Sequence, residues 1–120
     1  MRKGKDNAVV YADAAVKKVL LKITGARAGC ACIINEKGIL KGIFTDGDLR
    51  RAVETSPHIL EQKIQYIMTK DPITVSKDSL AVEALRILME KKIDEVPVVD
   101  KKHRLVGLLD VQDLLKEGLL

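Results

Sequence analysis

The chain has 120 residues, 47% hydrophobic and 32% charged, which suits one compact unit with an economical core. No apolar run approaches the roughly 20 residues of a membrane helix, and the start MRKGKDNAVV lacks the apolar stretch of a signal peptide, so a cytoplasmic protein is expected. The net charge of +4 is spread over many lysines, and two Tyr, one Phe and no Trp leave little surface for stacking bases; this argues against a nucleic-acid partner and suits a small anionic ligand or phosphorylated metabolite.

In chain order, apolar spacing predicts a helix from about Asp13 to Thr24, a strand from Cys30 to Asn35, the polar turn NEKG, and a strand from Ile39 to Phe44. A second helix starts near Asp46. Cys30 and Cys32 are two apart, so on a strand they share a face; with no further Cys or His at ligand spacing, they are two small apolar residues of a buried strand rather than a zinc site. His58 and His103 stand alone in polar surroundings. The segment TSPHILEQKIQYIMTKDP, with Ile59, Ile64 and Ile67, predicts a short linking helix.

Beyond it, TV precedes a helix in SKDSLAVEALRILMEKK, where Leu80, Ala81, Ala84, Leu85 and Leu88 fall at helical spacing. The short runs EVPVVD and RLVGLLD, separated by the turn DKKH, are strands, and VQDLLKEGLL closes the chain as a helix.

The second series repeats the first. A shift of 65 positions aligns Val10 with Val75, Asp13 with Asp78, Leu20 with Leu85, Leu40 with Leu105, Gly42 with Gly107, Asp48 with Asp113 and Leu49 with Leu114, without a gap. Units this small rarely fold alone, so residues 1–54 and 67–120, joined by 55–66, are expected to pack sheet against sheet about a pseudo-twofold axis. The fold class is α/β (α+β).

The densest polar cluster is GIFTDGDLRR, Gly42 to Arg51. Thr45 and Asp48 have the spacing of a helix cap and its reciprocal partner three residues on. The same geometry offers a phosphate the free N–H groups of a helix start and a Thr hydroxyl, with a carboxylate to accept ribose hydroxyls. Arg50 and Arg51 either add positive charge or are solvated. Asp46 and Asp48 lack the further oxygen ligands of a calcium site, and no nucleophile, base, P-loop or dinucleotide fingerprint accompanies them, so the chain is expected to be non-catalytic and metal-free.

These features together resemble the cystathionine-β-synthase (CBS) domain family, and the tandem resembles a CBS pair, or Bateman module. The signature Gly-hydrophobic-x-Thr/Ser-x-x-Asp is complete from Gly42 to Asp48, whereas the second copy, Gly107 to Asp113, has Asp110 at the Thr/Ser position. VPVVD stands intact from Val96 to Asp100; the first copy has ACIIN, with Cys32 in place of the proline. The resemblance implies a regulatory module that holds adenosine-type nucleotides in clefts between the repeats. It implies that Thr45 and Asp48 contact phosphate and ribose, with Val10, Tyr11, Cys32 and Ile33 bordering the base, and that the second copy offers Thr74, Val75, Pro97 and Asp113. A carboxylate at Asp110 repels phosphate, so the second cleft is expected to be empty or to hold a ligand less dependent on phosphate.

The same stretches, with LAVEAL and GLLDVQDLLKEGLL, are similar to the C-terminal tail of the arabinose-5-phosphate isomerase family, in which an N-terminal sugar-isomerase domain does the chemistry that feeds Kdo and lipopolysaccharide synthesis. This likeness implies AMP, ATP or CMP-Kdo as ligand and the isomerase domain of a parent chain as partner. The alternatives are a free-standing CBS pair sensing adenine nucleotides and a structural dimerisation module with vestigial clefts. A homodimer is expected, with Leu114, Leu115, Leu119 and Leu120 as candidate contacts; the competing arrangement docks them within their own repeat.

Overall fold

Alternation along β2 (Cys30–Ile34) divides the first repeat into two cores: Ala31 and Ile33 pack under the first helix, and Cys30 and Cys32 face the second repeat. The structure, a computed structural model, describes residues 1–79 and 81–116; the sequence expectations at Leu80, Leu119 and Leu120 lie outside the described residues. In the first sheet β1 (Ala8–Tyr11) runs parallel to β2, and β3 (Leu40–Thr45) and β4 (Thr69–Lys70) follow antiparallel. In the second, β5 (Val75–Ser76) runs parallel to β6 (Glu95–Val99), and β7 (Leu105–Asp110) is antiparallel to β6. The helices are α1 (Val16–Ala26), α2 (Asp46–Thr55), α3 (Ala81–Glu90) and α4 (Val111–Lys116).

The halves match in their irregularities as well as in their elements. The ladder shifts register at Ile33/Ile34 and again at Val98/Val99, 65 residues on. Asn35 and Asp100 each accept two backbone N–H groups across their turn, and Gly38 (φ 80°) and His103 (φ 63°) take the same left-handed position. Thus the isolated His103 serves a turn. The turns also meet: Leu40 N–H donates to the His103 carbonyl (3.0 Å) and Leu105 N–H to the Gly38 carbonyl (2.9 Å).

Two local expectations need correction. α1 starts at Val16 rather than Asp13, because the Val16 N–H donates to the Gln62 carbonyl (2.9 Å) and residues 12–15 pair with the linker. The linker, in turn, is not one helix but two 3-10 turns, Ile59–Glu61 and Ile64–Tyr66. Its Ile64 and Gln65 N–H groups go to the carbonyls of Ala14 (2.8 Å) and Ala12 (3.1 Å), so they cannot continue a helical ladder. Ile64 itself is fully buried in the first core.

Each sheet borrows an edge from the segment that leads into the other repeat. β4, at the entry to the second repeat, pairs with Gly42 and Ile43 of β3, while Arg2, at the entry to the first, pairs with Leu108 of β7. Close approach explains the paired glycines. A Cβ on Gly42 would lie 2.8 Å from the Thr69 carbonyl oxygen, and one on Gly107 2.8 Å from that of Arg2.

Candidate functional site

The open space between the halves is a cleft of about 670 Å³, within the range of small-molecule sites. The first repeat contributes Gly29, Ile43, Thr45 and Asp46; the segment entering the second contributes Thr69 and residues 71–73; the turn after α3 and strand β6 contribute residues 92–95 and Pro97. Thr45 therefore faces Ile73 and Pro97 of the opposite repeat.

The other residues that the resemblance names are placed as follows. Tyr11 and Val10 line a separate surface groove with Lys18 and Lys22 of α1, and Val10 is mostly buried in the first core. Cys32 and Ile33 are fully buried, Cys32 between the sheets and Ile33 under α1. Val75 belongs to the second core and Thr74 is half-buried beside it; Pro97 stands in the Thr45 cleft rather than in a cleft with Asp113. The pseudo-twofold brings Pro97 to Thr45: sheets packed face to face place the end of β3 against the other repeat's β6.

Thr45 caps α2. Its hydroxyl accepts the Asp48 N–H (3.4 Å), and the Asp48 carboxylate accepts the Thr45 N–H (2.9 Å). The capping expectation holds, and the second copy repeats it: Asp110 and Asp113 each accept the other's N–H at 2.9 Å. Asp48 does more than its counterpart. It is 4% exposed, and its other oxygen accepts Arg51 Nη2 (2.6 Å) and Thr69 Oγ1 (2.7 Å), tying α2 to the borrowed strand. Both its oxygens are thus engaged within the protein, and Asp48 lines a neighbouring groove with Arg51 and Tyr66 rather than the cleft. Arg51 is spent on Asp48, while Arg50 is exposed.

The cleft is more acidic than the sequence suggested. Asp46, Asp71, Asp94 and Glu95 line it against Lys92. The start of α2, where the first-turn N–H groups have no intrahelical partner, opens on this cleft, with Thr45, Asp46 and Lys92 in its lining. Sequence reasoning missed residues 71–73 and 92–95; the only signal was departure from the repeat, since Asp94 and Glu95 stand where Gly29 and Cys30 stand in the first copy.

Glu95 meets Cys30, its own repeat counterpart, across the axis: Cys30 Sγ lies 3.6 Å from Glu95 Oε2. Burial chiefly, and then the Asp110 charge, push the Glu95 carboxyl above the usual range, against the Cys30 hydrogen bond, Arg2 and the Gly29 N–H. Burial, followed by Glu95, also drives the Cys30 thiol far up and the Cys32 thiol up to about 12, so neither is a thiolate at neutral pH. Among the described residues no three His, Cys, Asp or Glu form a metal-binding group. A carboxyl raised in the folded state binds its proton more tightly there than unfolded. Glu95 therefore costs stability as pH rises through the carboxylate range. Glu95→Gln is accordingly expected to gain stability over wild type with rising pH, measured by urea unfolding from pH 4 to 8.

Both halves match the CBS domain family, over residues 1–55 and 64–119, and the chain belongs to that family as a tandem pair. It is 41% identical over 101 residues to the arabinose 5-phosphate isomerase KdsD of Pseudomonas aeruginosa, covering 84% of this chain and 31% of that protein. To KdsD of Francisella tularensis it is 35% identical over 116 residues, covering 97% and 35%. The chain thus spans about a third of these relatives' length. Among solved structures, the cytosolic domain of the Mg²⁺ channel MgtE in complex with ATP is 27% identical with a TM-score of 0.77, covering 94% of this chain and 45% of that one. The complex of CBSX2 with AMP shares the fold at 23% identity and a TM-score of 0.80, covering 94% and 87%. No helix among the described residues is long and apolar enough to cross a membrane.

Proposed function

We propose that this CBS pair is a regulatory module that binds one nucleotide, with AMP, ATP and a sugar nucleotide such as CMP-Kdo as candidates, in the cleft beside Thr45. The bound ligand biases an N-terminal sugar-isomerase domain of an arabinose 5-phosphate isomerase-type parent in the lipopolysaccharide pathway. The observation that carries this reading is the cleft of about 670 Å³ with a capped helix start at one wall and apolar Ile73 and Pro97 at the other. A phosphate fits the first wall and a planar base the second. Two buried free cysteines suit a reducing cytoplasm. Exposed Val82 and Met89 on α3 and Leu115 on α4 support a homodimer through these helices, whereas Leu114 is buried in its own repeat.

Four carboxylates against one lysine select for low negative charge. In magnesium-free buffer AMP is expected to bind about tenfold more tightly than ATP, a difference of about 1.4 kcal/mol. Titration calorimetry checks this. Thr45→Ala is expected to weaken AMP, and absence of binding by AMP, ATP and CMP-Kdo alike would overturn the nucleotide reading.

A further inference from the structure

The pseudo-twofold that builds the cleft at Thr45 generates a second position at Asp110, because Cys30 pairs with Thr45 as Glu95 pairs with Asp110. What lies beside the two positions differs. In the first half the borrowed strand brings Thr69 alongside Ile43; in the second it brings Arg2 alongside Leu108. Arg2 is fixed there by its backbone, with its N–H donating to the Leu108 carbonyl (2.7 Å) and its carbonyl accepting the Leu108 N–H (3.0 Å).

The side chain then turns into the space between the halves. Arg2 Nη1 donates to the carbonyls of Asp6 (3.0 Å) and Ala26 (3.1 Å), and Nε lies 3.7 Å from Asp110 Oδ2. Two of these partners correspond, 65 residues on or back, to residues lining the first cleft: Asp6 to Asp71, and Asp110 to Thr45. Ala26 is the last residue of α1, where unpaired carbonyls carry the negative end of the helix dipole and favour a cation. A guanidinium thus sits at the position that mirrors the nucleotide cleft, held by a carboxylate and two carbonyls from three elements.

We propose that Arg2 is an internal occupant of the second cleft, which is built for a guanidinium-type cation, so that the pair takes a single nucleotide, in the Thr45 cleft. The substitution of Thr by Asp at position 110 has its reason here: the residue that would repel a phosphate retains an arginine. The number of nucleotides rests on the function proposed above; the occupancy by Arg2 does not.

Calorimetric titration with AMP, together with NMR of the Arg2 guanidinium, tests both. Wild type is expected to take one AMP per chain, and a folded Arg2→Ala/Asp110→Thr double variant two. Two AMP on wild type, or one on the folded double variant, would overturn the proposal. If wild type takes none of AMP, ATP and CMP-Kdo, the nucleotide reading fails by itself. In that case, or if the double variant does not fold, the occupancy is judged on rotation of the guanidinium, which the two Nη1 bonds restrain. Slow rotation that becomes fast in Asp110→Asn upholds it; fast rotation in wild type, or slow rotation unchanged in Asp110→Asn, overturns it.

Discussion

Asp48→Ala is expected to lower the unfolding free energy by about 3 kcal/mol, against about 1 kcal/mol for Asp113→Ala at the equivalent place. Both remove the reciprocal half of a capping box. Only Asp48 also accepts Thr69 Oγ1 and Arg51, from a site that is 4% exposed, so its loss removes a buried charged acceptor with all its bonds and unties the borrowed strand from α2; the exposed Thr69 hydroxyl turns to water. Arg51 adds little, because its side chain is 69% exposed and can turn to water. Urea unfolding with an unchanged m-value measures the pair. Equal losses would mean that the bond to Thr69 contributes nothing.

Gly42→Ala is the second large effect, an expected loss of about 2–3 kcal/mol by overpacking. The new Cβ would stand 2.5 Å from Met68 Sδ and 2.8 Å from the Thr69 carbonyl oxygen. The thioether can swing away, but the carbonyl cannot move without breaking the β3–β4 pairing. Since Thr69 and Asp71 line the cleft, the same variant should weaken AMP. Gly107→Ala meets the Arg2 carbonyl at the same 2.8 Å, yet it displaces only the segment at Arg2 and should leave the Thr45 cleft intact. Thermal unfolding and AMP titration of the two variants distinguish them; a destabilised Gly42→Ala that binds AMP as wild type does would detach the borrowed strand from the site.

The repeat register, the strand pairs and the Thr45 cap were legible because each is a local pattern or a comparison of the chain with itself. Cys30 and Cys32 show the same reliability, since period-two alternation alone places both on one buried face. The borrowed strands were not legible. Thr69–Lys70 is two residues long, too short for any periodicity, and Arg2 makes a single bridge. The cleft was only partly legible, because its walls come from opposite repeats: Ile73 and Lys92 reach it through the twofold and carry no local signal, whereas Val10, Tyr11, Cys32, Ile33 and Pro97 were named through the family resemblance alone. Asp48 was expected to meet a ribose, and the three bonds its oxygens accept, from Thr45, Arg51 and Thr69, depend on a borrowed strand that leaves no local pattern.

Amide chemical-shift mapping during an AMP titration of the isotope-labelled chain tests most directly whether the inter-repeat cleft beside Thr45 is the nucleotide site. Saturable shifts are expected at Thr45, Asp46, Ile73, Lys92 and Glu95, with Tyr11, Lys18 and Lys22 in the outer groove unmoved. Shifts confined to that outer groove, or none with AMP, ATP or CMP-Kdo at saturation, would contradict that assignment.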